Sequence, residues 1–373
     1  MKTTTYLFLI CFWGNLLIAQ EASFRKETLD SNIQIGYGLA IGDVDGDQKL
    51  DILLADKKAF VWYRNGDWKR FIMAENLTEK DNVCITAKDI NGDGQVEVAV
   101  GGQWNPGNTQ DKAESGSVHY LIRPDDPTQK WEAVPLYHEP TIHRMHWVKT
   151  RNSYALLALP LHGIGNSKGE GAGVNLLYYP LPEDIRGPWN YKAINTEMHM
   201  THNMDIYSLK GEEYPTIAGK EGVRHMYPEF DKMGGIMLNW TSFGEVRESA
   251  SWIAGIQPMH GDTLAIYDEA RRKKVLSTSL KQGHALAWGD FMGLGYQQIV
   301  VGWRSPNEQN EMGIKLFVPA DEKWSRWEAL WIDKNGIACE DLKVADLNGD
   351  GKAEIIAAGR STHNLVIYWN ESP

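Results

Sequence analysis

The chain has 373 residues, of which 42% are hydrophobic and 10% aromatic, so it has enough apolar material for a large core and is not an intrinsically disordered chain. Its formal net charge is −11, and its densest basic run is Arg271–Lys274. A chain this acidic is poorly suited to binding nucleic acid or an anionic membrane, so we expect neither as a partner.

Residues 1–20 have the pattern of a secretory signal peptide. Lys2 gives a positive start, and the mostly apolar run Tyr6–Ile18 follows. A membrane anchor is the alternative, but this run is short for a span and Gly14 interrupts it. We therefore expect export, to the periplasm or out of the cell, and a mature protein over residues 21–373 with no membrane span.

Internal repeats dominate the rest of the chain. Three segments share one pattern of strand, acidic glycine-containing loop and strand: Gly38–Leu54, Ile85–Val100 and Leu342–Ala357. A degenerate copy covers Ala285–Gly302. Further apolar runs follow each copy and predict a third and a fourth strand. Four short strands per repeat are typical of one blade of a β-propeller.

The repeats predict an all-β fold, a seven-bladed β-propeller with four-stranded blades over residues 21–373. The innermost strands of the blades are predicted to start near Tyr37, Val83, His143, His202, His260, His284 and Glu340. About 50 residues per blade is a typical repeat length. Phe24–Leu29 is predicted to close the ring, because an open propeller would leave two bare sheet edges.

Three loops carry oxygen-bearing side chains at positions 1, 3, 5 and 9, the spacing that can wrap Ca²⁺. The residues are Asp43, Asp45, Asp47 and Asp51; Asp89, Asn91, Asp93 and Glu97; and Asp346, Asn348, Asp350 and Glu354. The alternative is that these side chains only cap tight turns by accepting backbone N–H groups. In both interpretations the loops have a structural role, with calcium as a structural ion in the first.

Histidines recur where innermost strands are predicted to start. His143, His202, His260 and His284 would occupy this position in the third to sixth blades. Propeller symmetry would bring them together at one mouth of the central channel. A single histidine is more often an ordinary core or surface residue, but four at one repeated position indicate a site.

The residue types around this mouth favour β-elimination chemistry. Histidine exchanges protons near neutral pH and binds transition metals, whereas arginine neutralises carboxylates. A proton next to a carboxylate is very weakly acidic until that charge is neutralised, which Arg224 or a Zn²⁺ ion held by the histidines could do. The predicted catalytic residues are His143, His162, His202, Arg224, Tyr227 and His260, and the predicted substrate-binding residues are Tyr37, Arg144, His146, His225 and His284.

Two families resemble the chain in its histidine-bearing segments. Gly36–Leu39, Ile142–Met145 and Met259–Thr263, together with the acidic loops, resemble the propeller part of the aldos-2-ulose dehydratase family and the seven-bladed ulvan lyases. The dehydratase resemblance implies that His143 abstracts the proton. The lyase resemblance implies a histidine pair on one blade, matched by His143 and His162, and an arginine further on, matched by Arg224. The two cupin domains of the dehydratase family have no counterpart in this chain.

These observations predict a carbohydrate-active carbon–oxygen lyase. The leading hypothesis is an oligosaccharide dehydratase that removes water from a uronic or keto sugar end during degradation of an algal polysaccharide such as ulvan. One alternative is an ulvan lyase that cleaves the chain with the same residues. An alternative of another class is a non-catalytic propeller for carbohydrate binding or adhesion.

Overall fold

The computed structural model describes residues 22–226, 233–238, 241–249, 251–321 and 323–373. Within these residues, 28 β-strands form seven sheets of four antiparallel strands, which confirms the predicted seven-bladed β-propeller. The predicted signal peptide lies outside the described residues.

The strands follow the chain blade by blade, with the innermost strand of each blade first. Strand β1 (Phe24–Asp30) is the exception and belongs to the last blade. The first four blades consist of β2 (Gly38–Gly42), β3 (Asp51–Ala55), β4 (Ala59–Tyr63) and β5 (Arg70–Glu75); β6 (Cys84–Lys88), β7 (Glu97–Gly101), β8 (Val118–Ile122) and β9 (Glu132–Leu136); β10 (Ile142–Lys149), β11 (Tyr154–Pro160), β12 (Asn175–Pro180) and β13 (Lys192–Asn195); and β14 (Thr201–Leu209), β15 (Glu212–Gly219), β16 (Gly222–Met226) and β17 (Met233–Leu238).

The remaining three blades repeat this arrangement. They consist of β18 (Glu245–Glu248), β19 (Trp252–Gln257), β20 (Thr263–Asp268) and β21 (Lys273–Ser277); β22 (Gly283–Gly289), β23 (Gln298–Trp303), β24 (Gly313–Pro319) and β25 (Trp327–Lys334); and β26 (Cys339–Ala345), β27 (Glu354–Gly359), β28 (Asn364–Asn370) and β1.

The ring closes through the two ends of the described chain. β1 pairs antiparallel with β28, from Phe24 opposite Asn370 to Asp30 opposite Leu365, as the sequence predicted. The pairing covers an edge of the last blade that would otherwise expose unpaired backbone groups.

The hydrophobic core lies between neighbouring blades. One cluster joins Tyr120 of the second blade to Trp147 and Leu156 of the third. Two of the second strands, β3 and β23, are buried at every position because a blade packs on each of their faces. The outermost strands are partly exposed, as β9 is.

The prediction for the start of the fifth blade is wrong. Its innermost strand is β18, starting at Glu245, and His260 lies in the turn between β19 and β20. The apolar run Leu264–Tyr267 that follows His260 belongs to the third strand of the blade, where it is fully buried. A buried third strand and an innermost strand have the same apolar pattern, so the pattern could not show which of the two this run forms.

Antiparallel order gives the propeller two distinct ends. The innermost strands start at one end, which we call the entry mouth and define by Tyr37, His143, His202, His284 and Glu340. The turns between second and third strands return to this same end. The acidic loops join first to second strands, so they lie at the opposite end of the blades.

Candidate active site

Four innermost strands begin with a β-bulge at the entry mouth. The pairing register shifts around His143 in the third blade, His202 in the fourth, His284 in the sixth and Glu340 in the seventh. A bulge leaves one residue unpaired and changes the direction of its side chain. The first, second and fifth blades have regular pairing between their first two strands.

The bulges and one turn bring four imidazole rings together. The centroid of the His202 ring lies 4.7 Å from that of His143, 4.4 Å from that of His260 and 5.2 Å from that of His284. The rings of His260 and His284 stack at 5.0 Å. The four residues form what we call the histidine cluster.

His260 joins the cluster although it lies on a different structural element. Its backbone has a φ of 52°, in the left-handed region, within the turn that follows β19. That turn ends at the entry mouth, and Nε2 of His260 lies 2.7 Å from Nε2 of His202. The sequence analysis predicted that His260 lies at this mouth, but it assigned the residue to an innermost strand and not to a turn.

Backbone carbonyls orient two of the rings. Nδ1 of His202 lies 2.7 Å from the carbonyl oxygen of Gly244, and Nδ1 of His284 lies 2.6 Å from that of Glu340. A carbonyl only accepts, so each Nδ1 carries a proton, and the tautomer with this single proton presents the lone pair of Nε2. Ligand histidines in metal sites are commonly held in this way.

Three of the rings fit a transition-metal site. One ring nitrogen each from His202, His260 and His284 lies within 4.8 Å of the other two. Two nitrogens at 2.0–2.1 Å from a tetrahedral zinc ion stand roughly 3.3 Å apart. His260 would therefore have to shift by about 0.6 Å from His202 to share an ion with it.

Burial keeps three of the four rings uncharged. The pKa of His260 is lowered to about 2, first by burial and then by the neighbouring His202. The pKa values of His143 and His284 also lie well below their usual range, again through burial first, followed by Arg144 for His143 and Arg304 for His284. Neutral imidazole is the form that binds a metal ion or accepts a proton.

His143 is the ring closest to an aromatic wall. Trp104 stacks on it with a centroid distance of 5.0 Å. Nη1 of Arg144 donates to Nε2 of His143 at 3.1 Å, and Nη2 of Arg144 lies 3.6 Å from Oε1 of the buried Glu245. Nδ1 of His143 is buried without a hydrogen-bond partner among the described residues.

Two arginines that the sequence analysis missed lie beside the cluster. Arg304 directly follows β23 and Arg360 directly follows β27, so they share one position in the turns of the sixth and seventh blades. Nη1 of Arg304 and Nη1 of Arg360 each donate to the carboxylate of Glu340. Arg360 also lies over the ring of Tyr37, 5.2 Å from its centroid. Their shared position in neighbouring repeats was the signal that could have found them.

Several predicted site residues lie apart from the cluster. His162 pairs with Met200 as an isolated bridge two residues after β11. Nη1 of Arg224 donates to Glu197 at 2.8 Å. Among the contacts of the described residues, neither His162 nor Arg224 touches a ring of the cluster. Tyr227 lies outside the described residues.

His225 and His146 point elsewhere. Consecutive strand residues face opposite sides of a sheet, so Arg224 and His225 cannot serve the same site. Nε2 of His225 lies 2.6 Å from Oε2 of Glu248, at the far end of β18 from the entry mouth. Nε2 of His146 lies 2.9 Å from the carbonyl oxygen of Met204 inside the channel wall, and burial lowers the pKa of His146 to about 3.

The central channel contains a cavity of about 440 Å³ next to the cluster. Its lining begins at Arg144 and Asn203, which directly follow His143 and His202 in the chain, and at Glu245. From there the cavity extends along the strands to Glu248 and Lys343. The wall is polar and carries both signs of charge. The histidine cluster lies between this cavity and the entry mouth.

The acidic loops show turn capping in all three complete copies. In the first loop, Asp43 accepts the backbone N–H groups of Gly46 and Gln48, and Asp51 accepts that of Val44. One carboxylate oxygen each from Asp43, Asp45 and Asp51 lies within 4.8 Å of the other two. The loop therefore makes the predicted capping bonds and also has an arrangement of oxygens that suits a cation.

The second and third loops repeat the capping bonds. Asp89 accepts from Gly92 and Gly94, and Asp346 accepts from Gly349 and Gly351. Glu97 and Glu354, at position 9, accept from the chain of their own loops. Calcium in these loops stays a prediction.

None of the described residues forms a helix with the length and hydrophobicity that a membrane crossing requires.

Comparisons with known proteins support the architecture. No curated protein sequence matches the chain. A chain in the crystal structure of the mitotic checkpoint complex is 11% identical with a TM-score of 0.63 and covers 99% of both chains. A chain in the crystal structure of BBS1N in complex with ARL6DN, soaked with mercury, is 12% identical with a TM-score of 0.58 and covers 92% of this chain and 95% of that chain. The lead-soaked form is 12% identical with a TM-score of 0.56, covering 93% and 96%.

At these identities the solved structures are similar in fold alone. Residues 38–100, which include the first two acidic loops, match the FG-GAP-like repeat family. The chain is thus a seven-bladed β-propeller that carries an FG-GAP-like repeat over residues 38–100.

Proposed function

We propose that the protein is a carbohydrate-active carbon–oxygen lyase that works by β-elimination at the entry mouth. The substrate is an acidic or keto oligosaccharide from an algal polysaccharide such as ulvan, and the reaction removes water from its uronic or keto sugar end. The predicted signal peptide would export the enzyme to the periplasm or out of the cell.

One observation carries the proposal: one ring nitrogen each from His202, His260 and His284 lies within 4.8 Å of the other two, beside the buried, neutral ring of His143. Nε2 of His202 and Nε2 of His260 contact each other at 2.7 Å, and a shared metal ion would replace this contact. When bound there, Zn²⁺ would supply a Lewis acid that neutralises the carboxylate or carbonyl of the sugar.

His143 would remove the proton. Its Nε2 lone pair faces Arg144, so a substrate carboxylate that binds Arg144 approaches the nitrogen that takes the proton. The electrons of the broken C–H bond form the new carbon–carbon double bond, and the β-carbon–oxygen bond breaks. The leaving oxygen takes up the proton that His143 removed and departs as water, which returns His143 to its neutral form. The stacked Trp104 provides a flat apolar surface of the kind that sugar rings pack against.

The test is incubation of zinc-loaded protein with ulvan oligosaccharides and with keto sugars, followed by ultraviolet absorbance and mass spectrometry. We expect an absorbing unsaturated product and the loss of one water from an intact oligosaccharide. Shorter fragments would instead identify a chain-cleaving lyase. Binding without any change in mass would identify a non-catalytic carbohydrate-binding propeller.

A pair of variants locates the reaction. His143→Ala should reduce turnover by at least a hundredfold, the usual contribution of a general base, and should keep zinc bound. His363→Ala is the matched control, because the exposed His363 bonds to the carbonyl oxygen of Gln34 and does not belong to the cluster. Full turnover in His143→Ala would refute the assignment of the base.

A further inference from the structure

Glu340 receives an unusual concentration of positive charge. Its carboxylate is 2% exposed and accepts hydrogen bonds from Arg304 at 2.9 and 2.7 Å and from Arg360 at 2.8 Å. One carboxylate balances one guanidinium, so this triad keeps a net positive charge. Arg304 and Arg360 are both directed to the entry mouth by turns at that end of the blades.

The surroundings do not cancel this charge. Arg144 and Arg247 share the buried Glu245, and Lys58 lies 3.9 Å from Asp81. The first group keeps a positive charge and the second is neutral, so neither offsets the charge of the Glu340 triad. The excess of the Glu340 triad therefore persists at the mouth of a protein whose formal net charge is −11.

Both guanidinium groups still have capacity to bind a ligand. The side chain of Arg360 is 38% exposed, above the ring of Tyr37. Nε of Arg304 donates to Gln282 and Nη1 to Glu340, whereas its Nη2 has no hydrogen bond to another residue that the structure describes. Glu340 holds both arginines in place from below, which reduces the entropy lost when they bind an anion.

We propose that Arg304 and Arg360 form an anion subsite that binds a carboxylate or sulfate group of the oligosaccharide and orients the sugar over the histidine cluster. The inference rests on the proposed function and assigns its preference for acidic sugars to these two residues. A planar guanidinium binds such oxyanions through paired N–H groups, which a lysine cannot reproduce.

The experiment measures binding, so that it does not depend on turnover. In a His143→Ala background, calorimetry follows the titration of a uronate-ended sulfated ulvan oligosaccharide, of its carboxyl-reduced form and of its desulfated form. Arg304→Gln and Arg360→Gln should each weaken binding of the intact oligosaccharide about tenfold or more, as expected for loss of one charge-assisted hydrogen-bonding group. Arg360→Lys should recover only part of this loss.

The modified oligosaccharides identify the bound group. If the carboxylate is bound, both Gln variants should bind the carboxyl-reduced form as tightly as the parent does. Both variants should then still bind the desulfated form more weakly than the parent does. The reverse pattern would identify the sulfate. Arg272→Gln removes the same charge from an exposed arginine just before β21, at the opposite end, and should change nothing.

The outcomes separate the two proposals. Equal weakening of all three oligosaccharides in the Gln variants, or no weakening at all, would overturn the anion subsite. If Arg304→Gln does not fold, as a melting curve would show, the more exposed Arg360→Gln decides alone. Charge-selective binding by a protein that never alters the mass of the oligosaccharide would keep the subsite and reject the lyase function.

Discussion

Burial determines the protonation state of several histidines in this protein. His146, in the channel wall, has its pKa lowered to about 3, and His119 on β8 has its pKa lowered to about 4, in both cases mainly because burial disfavours the charged ring. The same effect at His143 and His284 makes them available as base and ligand. Burial thus costs stability in acid at some positions and prepares chemistry at others.

His119 makes a testable contribution to stability in acid. Its usual pKa is 6.5 and its folded-state pKa is about 4, so below pH 6.5 the unfolded chain takes up a proton that the folded chain does not. The stability contribution is complete above pH 6.5 and is lost as pH falls towards 4. His119→Gln should remove up to about 2 kcal/mol of the loss between pH 7.5 and pH 5.

Urea unfolding of parent and variant at the two pH values measures this difference. His363→Gln serves as the control, since it removes an exposed imidazole. An equal loss of stability in the parent and in His119→Gln would contradict the prediction.

The acidic loops and their degenerate copy hold the same turn with different side chains at position 9. In the sixth blade, Gln298 replaces the carboxylate at position 9; its Oε1 accepts from Phe291 and its Nε2 donates to Asp290 at 3.1 Å. Asp51 takes the same position in the first blade and cannot donate to Asp43. Burial and the nearby Asp45 and Asp43 raise the pKa of Asp51 to about 7. A bound cation would relieve this repulsion, whereas the amide of Gln298 makes one unnecessary.

We therefore expect calcium to stabilise the protein through the carboxylate loops. Adding Ca²⁺ after chelator treatment should raise the melting temperature by roughly 2 °C or more, because the ion binds the folded state only. Asp45→Ala should reduce that increase. Asp290→Asn should leave the increase unchanged, even if it lowers the starting melting temperature. A response to calcium that is identical in parent and Asp45→Ala would exclude the first loop as a site.

At the scale of the whole molecule, the histidine cluster connects separate sheets of the propeller. His202, His260 and His284 come from the fourth, fifth and sixth blades. An ion held by all three would therefore cross-link the sheets around the channel. It would stabilise the ring as a whole and not one blade.

Zinc should consequently raise the melting temperature of the entire propeller. At a free concentration a thousand times the Kd, binding adds about 4 kcal/mol to the free energy of unfolding. His284→Ala should lose both the bound zinc and this stabilisation. His162→Ala, at the same mouth but outside the cluster, should keep both. Melting curves and metal analysis provide the measurements, and undiminished zinc in His284→Ala would disprove the assignment.

The repeat pattern alone predicted the blade count, the closing strand and the location of most of the cluster. Each blade is a local unit of apolar strands and polar turns, so its sequence pattern predicts its strands without information about the neighbouring blades. Phe24–Leu29 could be assigned to ring closure because a propeller must pair its edges. His143, His202 and His284 could be placed because they hold the same position in the third, fourth and sixth repeats.

Only the tertiary structure decided which side chains meet. The bulges at His143, His202, His284 and Glu340 depend on the register between two strands, which the order of apolar residues does not reveal. Arg304 reaches Glu340 from the neighbouring sixth blade, Arg360 reaches it from the turn after β27 of the same blade, and His260 arrives on a turn. The direction of each of these side chains depends on how separate sheets pack around the channel, and that packing forms only when the ring closes.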